Sequence, residues 1–400
     1  MTRNRKYEET HPWMKFSVDI TGRTQWLWML LGEAKSKCEH IARAILEPDT
    51  SKQLHTVYLA KGARATTAIE GNTLSEEEVI KQVEKTLEVP PSKRYLAQET
   101  QNIIDACNFI LEEITQGKSP VLNASTIKEF NRRVLDKLTL EEGVMPGVTR
   151  SYSVVVARYR GAPPEDCEYL LERLCDWLNS ETFTPPADKP QLCLIFAFLK
   201  AIIAHLYIAW IHPFGDGNGR TARLIELLIL VTSGVPVPAA QLLSNHYNLT
   251  RTEYYQQLDR SSKSGGEVLP FLSYAAQGFV DGLVAQLEYI HRQQWKLAWE
   301  NYVTSQLAGL SSEIKERCFV LVMALSNHND YVPVPVPKLQ ELNPQVAARY
   351  TRRTTKTLSR DISLLAKKGL IGMGQTGVWA KKEVVLAFRP FVAPPKQKSA

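Results

Sequence analysis

The sequence predicts an all-α protein with a smaller, separate helical unit at its C-terminal end. Three observations lead there. Apolar residues recur at helical spacing through most of the first 300 positions. Strand-like sequence is confined to one short stretch before residue 160. A Gly-rich, ribbon-like stretch appears only after three further helical segments near the C-terminus. Hydrophobic residues make up 44% of the 400, enough to fill a sizeable core and to divide it between two or three domains.

The helical period runs over 26–46, 96–114, 127–138, 167–178, 192–211 and 221–232. The stretch 192–211 is the longest apolar one, but Lys200 and His205 interrupt it, so a buried core helix is expected and not a membrane span. Residues 152–159 hold Val154-Val155-Val156 between Gly147 and Gly161, which predicts a short hairpin. Pro163-Pro164 then opens a helix with Glu165 and Asp166 in its first turn. Three prolines exclude a helix across 182–190. A long helix is expected over 269–299, and Trp13, Trp26 and Trp28 are expected to pack the N-terminal region.

Beyond residue 311 the pattern gives helices over 314–325, 337–342 and 354–368, with a Pro-rich connection at 333–337. Gly369 to Gly377 follow as a two-stranded ribbon, the order of a winged helix-turn-helix. The tail 394–400 is polar and expected to be disordered. The resulting division is 1–120, 121–300, 311–391 and a tail from 392 to 400.

A net charge of +6 is too mild to argue for nucleic acid by itself. The six cysteines form no C-x-x-C pair and several lie in apolar helical patterns, so a reducing, cytoplasmic setting is expected. Met1-Thr2-Arg3-Asn4 leads into polar sequence, and no signal peptide or membrane contact is expected.

The informative stretch is His212-Pro213-Phe214-Gly215-Asp216-Gly217-Asn218-Gly219-Arg220-Thr221-Ala222-Arg223. Pro213 stops the apolar helix. Three glycines in five residues form a loop whose backbone can approach a ligand, and a new helix follows. Free N–H groups at a helix N-terminus favour phosphate. Arg220 and Arg223 stand three apart, able to hold different phosphates of one polyphosphate. Asp216 is a hard oxygen ligand suited to Mg²⁺. His212, at the loop's rim, has the chemistry of a general base. Phe214 reads as the anchor that fixes the loop. Taken singly, each piece has a bland alternative: a plain turn, a helix cap, two solvated arginines.

Taken together they match the signature H-P-F-x-[D/E]-G-N-G-R-x-x-R, and across roughly 122–284 the sequence resembles the Fic family. The resemblance implies a Fic-type helical bundle with a hairpin flap and a transfer of AMP from ATP to a Tyr, Thr or Ser hydroxyl of a protein. It implies His212 as the base, Mg²⁺ on Asp216, and a nucleotide held by Phe214, Gly217, Asn218, Gly219, Arg220 and Arg223. Pro146-Gly147-Val148-Thr149-Arg150 and the hairpin look like the family's flap, Tyr254-Tyr255 like its tyrosine pair beside the adenine, and Asn245 like a nucleotide-contacting position. His205 is read as structural.

Thr66-Thr67-Ala68-Ile69-Glu70-Gly71-Asn72 is similar to the [S/T]-x-x-x-E-[G/N] element of self-inhibited Fic proteins. That resemblance implies a brake: Glu70, with Thr66 and Gly71 around it, pairs with Arg223 and withholds it from the γ-phosphate. The bland reading is a helix end with Gly71 after the cap. Near the C-terminus, Arg349, Arg352, Arg353, Lys356, Arg360, Lys367 and Lys368 make a basic segment that resembles a winged-helix recognition helix, leaving DNA and protein contacts open. Two further functions stay open: removal of AMP at the same site, and a DNA-binding regulator whose core only senses nucleotide. The target, which includes the chain itself among the candidates, and a homodimer are left open too.

Overall fold

The computed structural model describes residues 5–19, 24–118, 121–156, 159–328 and 332–386. The tail expected to be disordered, 392–400, and the last residues of the unit expected over 311–391 lie outside the described residues. The chain divides into two compact units, 1–288 and 289–400, and residues 1–120 belong to the first.

The first unit is helical, as the periodicity predicts. A short helix α1 (Lys6–Thr10) is followed by α2 (Gln25–Ala42) and α3 (Pro48–Ile69). Proline at the first position starts α3, where its missing N–H costs nothing. Glu70 caps the helix and Gly71 follows at φ 105°. Gly71 N–H donates to Ala68 O and Asn72 N–H to Thr67 O, a Schellman ending. The bland reading of this segment is therefore right as local structure. Next, α4 (Glu76–Val83) opens with a capping box between Ser75 and Glu78. Then come α5 (Arg94–Thr115) and α6 (Ala124–Val134). Asn123 caps α6 through Thr126 N–H. The α6 helix stops four residues short of the expected end, where Lys137 turns to φ 54°.

The expected hairpin is present but short. Strands β1 (Val155–Val156) and β2 (Tyr159–Arg160) pair antiparallel, Val155 opposite Arg160. After it, α7 (Cys167–Leu178) leads to α8 (Cys193–Ile211) and α9 (Asn218–Thr232). The segment 190–211 has the length and hydropathy of a membrane span. Its core, Ala201 to Leu206, is buried on every face, His205 included, and α8 packs along α9, α7 and α2. A helix apolar all round is what a core centre requires. Helices α10 (Val237–Ala240), α11 (Leu242–Leu249) and α12 (Arg251–Lys263) close the unit, and α3 packs on α11, α5 and α9. Of the tryptophans, Trp13 touches His11 and Tyr159, but Trp26 is 59% exposed and packs nothing inside. It falls on the exposed flank of α2, about 100° around the helix from Leu27.

The long helix α13 (Leu269–Gln306) extends seven residues past the expected end. In the second unit α14 (Ser312–Ser326) is followed by a 3-10 turn, Val336–Glu341, where an α-helix was expected over 337–342. Pro335 and Pro337 remove the N–H groups a regular helix needs. The second α-helix, α15 (Pro344–Tyr350), starts later, with Asn343 as cap and Pro344 at its first position. Then α16 (Thr355–Lys367) runs into Gly369 at φ 72°, and β3 (Ile371–Gly374) pairs antiparallel with β4 (Gly377–Ala380). A buried Arg317–Asp361 ion pair at 2.6 Å, joined by the Tyr350 hydroxyl, ties α14, α15 and α16 together.

Candidate active site

The Gly-rich loop lies between the C-terminus of α8 and the N-terminus of α9. His212 caps α8 in a left-handed conformation, φ 48° and ψ 59°, rare for a residue with a side chain. Such strain costs about 1–3 kcal/mol and persists only where the surroundings impose it. Arg150 brackets this turn: its Nε donates to His212 O at 2.8 Å, and its own amide donates to Pro213 O at 2.9 Å. Asn218 braces the loop internally, accepting from Phe214 N–H and donating to Phe214 O, both at 2.9 Å. Phe214, 1% exposed, anchors the loop in the core. Gly217 caps α9 at φ 76°, and the first-turn N–H groups of α9 open towards the loop.

Asn131, wholly buried on α6, fixes the loop from below. Its Nδ2 donates to Asp216 O at 2.9 Å, and its Oδ1 accepts from Gly147 N–H at 2.9 Å. The segment leading into the flap and the Gly-rich loop are thus joined through one amide.

The two arginines are not solvated. Arg223, 2% exposed, donates to Thr66 Oγ1 (2.5 Å), Thr66 O (2.9 Å) and Glu70 Oε1 (2.6 Å). Arg220, 3% exposed, bridges Glu99 Oε1 (2.6 Å) and Asp216 Oδ1 (2.9 Å). Glu99 in turn accepts from Asn72 Nδ2 at 2.8 Å. The end of α3 therefore reaches both arginines, through Glu70 directly and through Asn72 and Glu99. Gly219 sits where a Cβ would lie 2.3 Å from Glu70 Oε1, so only glycine lets the carboxylate approach.

Burial pushes the Glu70 carboxyl up, but Arg223, Arg220 and His212 outweigh it and hold it below the usual carboxylate range. Burial also pushes the His212 imidazole down, Arg150 adds to this, and it falls to about 4. His212 is therefore neutral near pH 7, the state a base needs. Glu99 is raised by burial, which Arg220 only partly offsets.

A cavity of about 710 Å³ opens over this arrangement, within the usual range for a small-molecule site. Glu70, His212, Gly219, Arg223, Tyr254 and Tyr255 line it, with Val156 and Tyr159 of the hairpin at one side. Tyr254 is buried, its hydroxyl 2.9 Å from His205 Nε2, while the Tyr255 hydroxyl reaches Ile69 O at 3.4 Å. His205, fully buried, is also 3.2 Å from Glu226 Oε2, so its partners are a carboxylate and a phenol. Asn245 stands half-buried on α11 and is not among the residues lining the cavity. Gly71 shapes the end of α3 without facing the cavity.

The Asp216 carboxylate has one oxygen engaged and one open. Its Oδ1 is taken by Arg220 and by Gly217 N–H, the side chain is 43% exposed, and Oδ2 has no hydrogen-bond partner among the described residues. One open carboxylate oxygen beside a phosphate cradle suits Mg²⁺, which takes one or two carboxylates and completes its shell with phosphates and water.

Residues 121–230 match the profile of the Fic/DOC family. The chain carries a Fic domain. Over 212 residues, 53% of this chain, it is 32% identical to the protein adenylyltransferase fic-1 of Caenorhabditis elegans. The match takes in only 38% of that relative's length. In fold, the chain superposes on a Fic family protein from Desulfovibrio desulfuricans with TM-score 0.56 and 16% identity, covering 90% of this chain and 94% of that one. Fic-1 from C. elegans superposes with TM-score 0.53 and 24% identity, over 66% and 73% of the two chains. The mostly helical Fic fold is common to them. Around this Fic domain, Asn131 and Glu99 are site residues outside the sequence motifs, whereas Arg150 and Asn72 lie within motif segments but had no role assigned to them. Only the buried polar character of Asn131 and Glu99 within helical patterns signals them.

Proposed function

We propose that this chain transfers AMP from ATP to a protein hydroxyl, with His212 as general base and Glu70 as a built-in brake. The observation that carries the reading is one cavity lined together by a neutral His212, the Gly219 cradle, Arg223 and Glu70. Relatives named protein adenylyltransferase support it. The target hydroxyl attacks the α-phosphorus while His212 takes its proton. The bond from the α-phosphorus to the bridging oxygen breaks, and pyrophosphate leaves with the electron pair. Helix α9 directs its N-terminal N–H groups and positive dipole end at the phosphates. Asp216 is the residue that would hold Mg²⁺, which when bound supplies neutralisation of phosphate charge. Tyr254 and Tyr255 offer aromatic faces to the base of the nucleotide. In the braked state Glu70 occupies Arg223 and leaves the γ-phosphate without its partner, so ATP lies in a pose unsuited to attack. Incubation with α-labelled ATP tests this reading. Label on protein supports it, and no transfer by either the wild type or Glu70→Gly would overturn it.

For the second unit, we infer a contact with duplex DNA through α16. Lys356, Arg360 and Lys367 are exposed along it, and Arg352 is exposed just before its start. Arg349 and Arg353 are instead neutralised by Glu316 and Glu313. Mobility shift of the full chain on duplex DNA should weaken with salt, with a log–log slope near −0.9 per phosphate contacted. No shift at low salt would leave the unit to protein contacts.

A further inference from the structure

We propose that Arg150 is a positioning residue for the transfer, holding His212 in its left-handed conformation and clamping the hairpin over it. This rests on the reading of His212 as the base. Arg150 is 4% exposed, yet no carboxylate lies within ion-pair distance of it among the described residues, Glu165 acting on it only from farther away. A buried cation without a counter-charge is costly unless its donors are fully used. Here they are spent on main-chain carbonyls alone. Nε donates to His212 O (2.8 Å), Nη1 to Tyr152 O (2.6 Å), and Nη2 to Ala162 O (2.5 Å) and Ile211 O (3.5 Å).

Those carbonyls belong to two structures. Tyr152 and Ala162 flank the hairpin strands β1 and β2. Ile211 and His212 end α8, where orphan carbonyls and the negative end of the helix dipole attract a cation. One planar fork therefore fixes both flanks of the flap relative to the backbone that aims the imidazole. The Arg150 amide adds a bond to Pro213 O, and Ala162 N–H adds one to Ile211 O. Gly161 shows how tightly the parts meet: a Cβ there would lie 2.8 Å from Arg150 Nη2 and 2.9 Å from His212 Cβ. The hairpin also lines the cavity through Val156 and Tyr159, so the same clamp sets the wall on which a target segment would lie.

The test uses the full chain carrying Glu70→Gly, with Arg150→Met and Arg150→Lys added to it. Arg150→Met should lower turnover about 100-fold through misplacement of the base, while ATP affinity stays within about twofold. Arg150→Lys should recover about tenfold of that loss, since an ammonium reaches some of the carbonyls but cannot copy the fork. Independently of activity, trypsin should cut after Arg160 faster in Arg150→Met than in the wild type. Full turnover by Arg150→Met, or ATP affinity lost in step with turnover, would overturn the proposal. Should the Glu70→Gly parent transfer no AMP, the proposed function fails, and the protease comparison alone then decides the role of Arg150. Unchanged flap cleavage in that case overturns it.

Discussion

Replacing Glu70 by glycine should convert a slow enzyme into a fast one, and the structure sets the scale. The Glu70 Oε1–Arg223 Nη2 distance is 2.6 Å, with the arginine side chain 1% and the glutamate side chain 31% exposed. An exposed ion pair contributes about 0–1 kcal/mol, whereas breaking a buried one costs about 3–5 kcal/mol. A pair buried on one side only falls between, at about 2–3 kcal/mol. Under the proposed brake, ATP must overcome that interaction before its γ-phosphate can engage Arg223. Removing it should raise the transfer rate about 30- to 150-fold, at 1.36 kcal/mol per tenfold. The gain belongs in turnover and not in ATP affinity, because the pose changes and not the occupancy. Glu70→Gln keeps a hydrogen bond without the charge and should give about half the gain on a logarithmic scale. In an Arg223→Ala background Glu70→Gly should give no gain, since the released guanidinium is what orients the nucleotide. The assay is self-labelling or lysate labelling with α-labelled ATP across the four variants. Wild type as active as Glu70→Gly, or a gain that survives loss of Arg223, would refute the brake. If Glu70→Gly adds AMP but no longer removes it from a modified target, Glu70 serves the reverse reaction.

His212→Ala should abolish transfer while ATP binding, measured calorimetrically, persists, because the cradle is built of backbone and arginines; labelling at the wild-type rate would exclude His212 as the base. With its imidazole held to about 4 by burial and Arg150, turnover of Glu70→Gly should stay level as pH falls below 6.5. It should drop only near pH 4 or lower, since loss of the Glu70 charge disfavours the imidazolium further. A half-maximal point at 6.5 would show an unperturbed histidine. Asn131→Ala removes the amide that donates to Asp216 O and accepts from Gly147 N–H at a wholly buried site. It should destabilise the first unit by about 1–3 kcal/mol, seen as a lower melting temperature, and an unchanged melt would show the amide is dispensable.

The motif loop was legible because its chemistry is local. A proline that stops a helix, three glycines and a helix start fall within twelve consecutive residues, His212 to Arg223. The end of α3 was legible twice over, as a glycine-terminated helix and as an acid placed before the loop, and both descriptions hold for the same residues. The elements that went astray were those decided by one or two residues: Asn343-Pro344, which start α15 beyond the helix expected at 337–342, and Trp26, whose place on the exposed flank of α2 depends on a helical phase the aromatic count ignores.

The partner of Arg220 was not legible, and that of Arg223 followed from the family resemblance and not from the helical pattern, for a reason that bears on how this site works. Arg220 finds Glu99 across 121 residues and Arg223 finds Glu70 across 153. Each acid sits on a helix whose amphipathic pattern says only that one side is buried. What joins them is Asn72, which bonds Glu99 and also closes the ending of α3 just past Glu70. The hold on Arg223 and the hold on Arg220 thus share an anchor. A ligand phosphate that draws Arg220 away from Glu99 leaves that buried carboxylate with one partner fewer and weakens what Asn72 is tied to. Release of Glu70 from Arg223 should then be easier with polyphosphate bound than without it. Hydrogen exchange at the amides of Gly71 and Asn72 reports this. Faster exchange with ATP present is expected, and protection unchanged by ATP would mean that the two arginines are held independently.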